Sequence, residues 1–419
     1  MKNKILFISI LALLIFNSCG AVTIAQGLGE TIATNMAFAQ SFKDTNSSDT
    51  ALLQVNKTSS SDNTLPQANK TNLSDGNLSQ VYSETNSGDS ALTQVTATRA
   101  NGYPEITHLF THALIAFPQL AFARDNEMSP HYDKDCLTAR EFSAILASLY
   151  ARNYILVSPS DIYSVVGGIV IRKKCDFDGK KPLLLSFDDI NYYSTKMNRG
   201  MNDKLVVDID GNIATYTAGA RKKINYDNEV ITIVESFVKK YPSFSYHNAK
   251  GVICLTGFDG ILGYRTQSGS ADRANEIGRA QFVVKTLKEK NWKFACHSYG
   301  HYHTQKISAQ KFASDTDKWL REVSPIVGKT DIYCFPFGEY DMLENGALSV
   351  KQKHLLASGF SMFWGVGDSP FFGKIPFEQS VTEKCSFMDR IPLDGYSLRN
   401  IDLSKYFDAN TILDPVRPR

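Results

Sequence analysis

The sequence predicts an α/β fold in which a parallel sheet carries helices on its outside. Two observations predict it. Short apolar runs alternate with helical patterns from about residue 105 onward. Several of those runs stop at carboxylates or histidines, as strands do when functional groups gather at their C-terminal ends. An open sheet and a closed barrel give the same alternation.

The elements follow in order. Ile106 to Phe117 is apolar and strand-like. Thr138 to Asn153 reads as a helix, with Thr138 as N-cap and Glu141 three residues later as a capping box. Leu137, Phe142, Ile145, Leu146 and Leu149 supply its apolar face. Ile155 to Val157 is a short buried strand, and Pro182 to Phe187 is an apolar run that ends at two aspartates. Leu205 to Tyr216 reads as a hairpin turning at Asp210-Gly211, and Glu229 to Lys240 as an amphipathic helix. The hairpin and helix of the long stretch 190–250 suggest a lid or a substrate wall. Strands are expected at Gly251 to Thr256, Phe294 to Cys296, Asp331 to Phe335 and Phe360 to Val366. Helices are expected at Ala271 to Lys290, Ser308 to Val327 and Ser349 to Ser358.

Bulk composition narrows the function. The chain has 419 residues, 43% of them hydrophobic, which allows a sizeable core. Its 45 basic and 43 acidic residues leave a formal charge of +2, so there is no electrostatic case for nucleic acid. Residues 1–19 read as an export signal: Lys2 and Lys4, then an apolar run from Ile5 to Phe16 too short to span a membrane. The run ends at Asn17-Ser18-Cys19-Gly20, similar to a bacterial lipoprotein cleavage site, with Cys19 as the lipidated residue. Export to the cell surface, lipid-anchored or secreted, is the expectation. Residues 20–100 are rich in Ser, Thr, Asn and Asp and repeat themselves, Thr45 to Leu52 returning as Thr85 to Leu92. Such a segment cannot bury enough surface to offset its ordering entropy and reads as a flexible linker. The folded domain is 101–419. Its six cysteines, from Cys136 to Cys385, show no Cys-x-x-Cys spacing and cannot be paired from sequence.

Three strand ends carry chemistry. The first is Ser186-Phe187-Asp188-Asp189. Neighbouring strand residues point to opposite faces, so both carboxylates reach one site only if the chain bends there. Taken alone, such a pair is more commonly a surface turn. The second is His297-Ser298-Tyr299-Gly300-His301-Tyr302-His303, which holds three of the eight histidines. Histidines four apart on a helical turn can share a metal, and two imidazoles with one carboxylate suit a zinc-type catalytic site. His303 is read as lying behind those ligands or as incidental. The third is Tyr333-Cys334-Phe335-Pro336-Phe337-Gly338, an apolar strand entering a Pro-aromatic-Gly turn.

In this order the three segments resemble the motifs of the NodB-type polysaccharide deacetylases, carbohydrate esterase family four, over roughly residues 105 to 400. The resemblance implies an irregular (β/α) barrel and removal of N-acetyl groups from a sugar polymer, with O-acetyl groups as the variant. It implies Asp188 as general base, Asp189, His297 and His301 as ligands of a divalent metal ion, expected to be zinc, and Phe335, Pro336 and Phe337 as a wall of the substrate groove. His112 is similar in position to a Tyr-His motif of surface-polymer deacetylases and is a candidate for lining the site, with a buried structural role as the alternative. The family's third motif usually carries an Arg that orients the base, and here that position is Cys334. Arg390, in Met388-Asp389-Arg390-Ile391-Pro392, is the candidate for supplying the cation, with a surface ion pair as the alternative. The family's late acidic His has no match.

The expected partners are an N-acetylated polysaccharide and, through Cys19 alone, a membrane; the chain is taken as a monomer. A catalytically inactive glycan-binding module and a metal-dependent phosphoesterase remain open as other classes. No Gly-x-Ser-x-Gly is present, which argues against a serine esterase.

Overall fold

The computed structural model describes residues 103–167, 169–341, 347–367 and 385–418. The export segment, Cys19 and the linker lie outside the described residues. Thirteen strands are described: β1 (Thr107–His112), β2 (Tyr154–Leu156), β3 (Tyr163–Val166), β4 (Ile169–Arg172), β5 (Lys181–Asp188), β6 (Lys204–Val207), β7 (Ile213–Tyr216), β8 (Ile224–Asn225), β9 (Val252–Leu255), β10 (Lys293–Cys296), β11 (Ile332–Cys334), β12 (Met362–Val366) and β13 (Ser386–Pro392). The longer helices are α1 (Ala139–Ala151), α2 (Val230–Lys240), α3 (Arg273–Glu289), α4 (Ala309–Glu322) and α5 (Val350–Ala357).

Strands β1, β13, β12, β11, β10, β9 and β5 pair in that order, and β5 pairs back to β1, closing a barrel. Every one of these pairings is parallel. This is the irregular (β/α) barrel that the resemblance implies. Its irregularity sits at β5: β2 pairs with Lys181 to Leu183, and β9 takes up the same strand from Ser186 onward.

Strand alternation divides the core in two. Ile106, Leu184, Val252, Cys254, Ala295, Ile332, Cys334, Met362, Trp364 and Met388 form one cluster inside the barrel. Their neighbours Leu109, Leu185, Phe187, Ile253, Phe294, Tyr333, Phe363 and Phe387 belong to the larger cluster under the helices. The antiparallel hairpin β3–β4 adds Tyr163 and Val170 to the inner cluster.

Away from the barrel mouth, three expected elements take a different form. The first strand stops at His112, and Ile115 bridges instead to Thr138, where the capping box of α1 forms. The helix expected through Val327 breaks after Glu322, and Ser324-Pro325 starts a separate turn, because Pro325 has no N–H for the preceding turn. The stretch 190–250 does not supply a helical lid. Helix α2 packs against α1 and buries Val230, Ile231 and Val234 in the outer core, making it one of the barrel's own helices. The hairpin β6–β7 gains β8 as a third strand.

Candidate active site

Asp188 is the last residue of β5 and points into the barrel mouth, where it is 2% exposed. The chain then turns at once: Asp189 has φ 59°, in the left-handed region that Asp tolerates better than most residues. Its N–H bonds to the Cys254 carbonyl at 3.1 Å. That single bend places two sequence neighbours in one site, although a continuing strand would send them to opposite faces.

The second segment leaves β10 at His297. It is a loop with no helical turn, since Ser298 and His301 both have positive φ, at 57° and 52°. The helical spacing expected there is therefore wrong, and tight loop geometry brings the two rings together instead, 4.9 Å apart between centroids. The Asp315 carboxylate pins the loop by accepting from the N–H groups of Tyr299 at 2.7 Å and Gly300 at 2.8 Å. Gly257 packs so closely that a Cβ there would meet the Tyr299 ring at 2.5 Å.

One oxygen or nitrogen each from Asp189, His297 and His301 falls within a 4.8 Å spread. His301 Nε2 and Asp189 Oδ2 stand 3.8 Å apart. Donors about 2.0–2.2 Å from a zinc ion at tetrahedral angles stand roughly 3.4 Å apart, so the three fit such an ion with a small inward shift. The tautomer also fits. His297 Nδ1 lies 2.8 Å from the Cys334 carbonyl, which can only accept, so Nδ1 carries a proton and Nε2 faces the site. Asp188, His297 and Cys334 form another trio of the same spread. There the Arg390 guanidinium already occupies both Asp188 oxygens, which argues against a second cation.

Arg390 lies on β13, fully buried inside the barrel. Its Nη1 and Nη2 donate to Asp188 Oδ1 and Oδ2 at 2.7 and 2.9 Å. Nη1 also reaches Ser186 Oγ at 3.1 Å, and Nε reaches the Gly365 carbonyl at 3.1 Å. The Phe110 ring lies 4.2 Å beneath the guanidinium carbon. Arg390 thus makes a buried pair, and the surface ion pair that the sequence left open is not what forms.

Burial alone would raise the Asp188 carboxyl, but Arg390 and then His297 outweigh it and hold it well below the usual carboxylate range. Burial would lower His297, yet the Asp188 carboxylate and then the Cys334 side chain push it up to about 10. For His301 burial outweighs the Asp189 carboxylate 3.8 Å away, and takes it down to about 4. The two histidines therefore differ in the metal-free protein: His297 is protonated at neutral pH and His301 is not.

The aromatic turn divides unexpectedly. Phe335 is fully buried, packed on Tyr333, Tyr340 and Phe363 under the helices. It cannot wall a groove, because strand alternation turns it away from the barrel axis. Pro336 is buried too. Phe337 alone is exposed, at 53%, with φ 57°. Its ring stacks on His303 at 3.7 Å and stands edge-on to His301 at 4.7 Å. His303 in turn bonds Glu339 at 2.8 Å.

His112 ends β1 opposite Asp188 in register, half-buried, its Nδ1 3.1 Å from the Asp135 carbonyl. It is close enough to help lower both Asp188 and Asp189.

Four residues near the site escape sequence reasoning. Ser186 could have been found by period two, since it shares the inward face with Asp188. His108 lies below it, fully buried, with Nε2 3.0 Å from Ser186 Oγ; burial and then Arg390 take its pKa well down. Tyr193 and Thr256 touch Asp189 directly or through one another, and no motif marks them.

No protein-family model and no curated protein matches the chain. Solved structures do, at low identity. A deacetylase, PplD, from Streptococcus pyogenes in complex with acetate is 13% identical, covers 74% of this chain and 99% of its own, and has a TM-score of 0.40. A de-N-acetylase from Aggregatibacter actinomycetemcomitans is 12% identical, covers 74% of this chain and 100% of its own, at 0.41. A pseudoenzyme of the CE4 family from Bacillus anthracis is 15% identical, covers 42% and 52%, and scores 0.22. The parallel barrel, with Asp188, Asp189, His297 and His301 at its mouth, makes this chain similar to the polysaccharide deacetylases of carbohydrate esterase family four.

Proposed function

We propose that the chain is a metal-dependent hydrolase that removes N-acetyl groups, and by the same centre O-acetyl groups, from an envelope or extracellular polysaccharide. One observation carries the reading. The donor atoms of Asp189, His297 and His301 converge within 4.8 Å, beside an Asp188 carboxylate held ionised by a buried Arg. When bound there, a divalent ion such as zinc polarises a carbonyl and lowers the pKa of water.

The chain's own residues divide the remaining work. Asp188 takes a proton from the attacking water. Arg390 fixes the carboxylate's direction through two bonds and keeps it charged. Once protonated, Asp188 is placed to return that proton to the departing amine. We assign the developing oxyanion to a backbone N–H near Phe337, and the exposed Phe337 ring to sugar contact. Export, as read from residues 1–19, and the linker favour a substrate outside the cytoplasm.

The test is acetate release from N-acetylglucosamine oligomers and from acetylated xylan by the zinc-loaded chain, beside Asp188→Asn. Release that is lost in the variant supports the reading. Glycan binding with no release supports an inactive module, and turnover confined to phosphate esters overturns the deacetylase.

A further inference from the structure

The fold treats the two oxygens of Asp189 differently. Oδ2 lies 3.8 Å from His301 Nε2, on the side of the histidines. Oδ1 accepts a hydrogen bond from the Tyr193 hydroxyl. The same hydroxyl oxygen lies 2.7 Å from Thr256 Oγ1. A phenol has one proton, and an ionised carboxylate only accepts. With the Tyr193 proton given to Asp189, the Thr256 hydroxyl donates to Tyr193. A one-way chain results, from Thr256 through Tyr193 to Asp189 Oδ1.

Each member of that chain is held in place. Thr256 is fully buried, and Asn191 brackets its backbone: the amide nitrogen donates to the Thr256 carbonyl at 3.0 Å, and the amide oxygen accepts from the Thr256 N–H at 3.3 Å. The Tyr193 ring is 9% exposed and stacked on Phe258 with centroids 4.8 Å apart. Phe258 is tied in turn by its N–H to the Tyr299 carbonyl at 3.1 Å, within the histidine loop. The loops after β5 and β9 thus meet at one phenol, and Phe258 ties the loop after β10 to them.

We infer that Tyr193, with Thr256 behind it, is a positioning residue that occupies Asp189 Oδ1 and so makes Asp189 a one-oxygen ligand through Oδ2. This rests on the metal reading of the site. A carboxylate with both oxygens free could rotate and bind an ion through both, adding a ligand and consuming a position that water or substrate needs. Ligand-orienting bonds of this kind typically change metal affinity roughly 10- to 100-fold when removed.

Tyr193→Phe removes the bond and keeps the ring on Phe258. Thr256→Val removes the first donor and keeps the bond to Asp189. The full chain is stripped of metal, then titrated with zinc, and separately loaded with cobalt(II) for its visible spectrum. Tyr193→Phe is expected to weaken zinc binding roughly 10- to 100-fold and to weaken the cobalt bands as the ion gains a ligand, with the metal-free protein still folding cooperatively at a somewhat lower melting temperature. Thr256→Val is expected to move both readouts the same way by less, and it carries the test should Tyr193→Phe not fold. Zinc affinity and cobalt spectrum unchanged in the variants overturn this inference alone. Absence of zinc binding by the intact chain, or binding indifferent to Asp189→Asn, overturns the metal site and this inference with it.

Discussion

Arg390 grips both oxygens of Asp188, at 2.7 and 2.9 Å, from a strand 202 residues further along the chain. Both residues are buried. Removing either one leaves an uncompensated charge in the barrel, which typically costs about 3–5 kcal/mol, whereas removing both does not. Arg390→Met and Asp188→Asn should therefore each destabilise the fold, and the double variant should recover much of the loss. Urea denaturation of the four proteins measures the coupling. Additive losses would show that the pair is incidental.

Zinc uptake should release protons. With its pKa raised to about 10, His297 is protonated in the metal-free protein at neutral pH, whereas His301, lowered to about 4, is not. The raised value means that the His297–Asp188 pairing stabilises the metal-free fold fully below the unfolded histidine's ordinary pKa. That stabilisation is lost as pH rises through about 10. A metal needs neutral imidazole. At pH 7 the expected release is about one proton per zinc, and affinity should fall about tenfold for each unit of pH lowered below the His297 value. Calorimetry in two buffers of different protonation enthalpy reads the number directly. A release near zero or two would contradict the assignment.

Phe335 and Phe337 should separate stability from binding. Phe335→Ala opens a cavity in the outer core and should cost about 3–5 kcal/mol. Phe337→Ala touches an exposed ring. It should leave the melting temperature nearly unchanged and raise KM for glycan oligomers several-fold. Melting curves and KM on the two variants test both statements, and a KM effect confined to Phe335→Ala would reverse them.

Glu229 gives the fold its own pH dependence. It caps α2 and accepts from the N–H groups of Leu114 and Val230 at 3.0 and 2.9 Å, yet burial raises it to about 7. A raised carboxyl favours the protonated folded state. Its contribution is fully present below the ordinary value of 4.5 and is lost as pH rises to about 7. The loss is on the order of 3 kcal/mol. Glu229→Gln should flatten the stability curve over that window in thermal melts from pH 5 to 8. An unchanged curve would mean that the hydrogen bonds outweigh burial.

Much of the barrel was legible in the sequence because its strands are short apolar runs with period two and its helices carry capping signals such as Thr138 with Glu141. The break after Glu322 was also written, in Ser324-Pro325. The bend at Asp189 was required for both carboxylates to share a site, but that at His301 was not foreseen, because positive φ at a residue other than Gly leaves no pattern. The same limit applies to Phe335: its burial depends on which face β11 turns inward, and Phe335 and Phe337 on either side of Pro336 read alike. Ser186 and His108 lie on the inward face of strands already identified, so alternation alone would have found them. Tyr193 and Thr256 meet only because two loops cross, a contact that spacing does not encode.

The central claim is that Asp189, His297 and His301 hold one divalent ion beside an ionised Asp188. The most direct measurement is a zinc titration of the metal-stripped chain beside His301→Ala and Asp189→Asn. The account predicts one zinc per chain for the intact protein, with affinity reduced at least a hundredfold, or about 2.7 kcal/mol, in either variant. Equal, tight, one-to-one binding in all three proteins would contradict it.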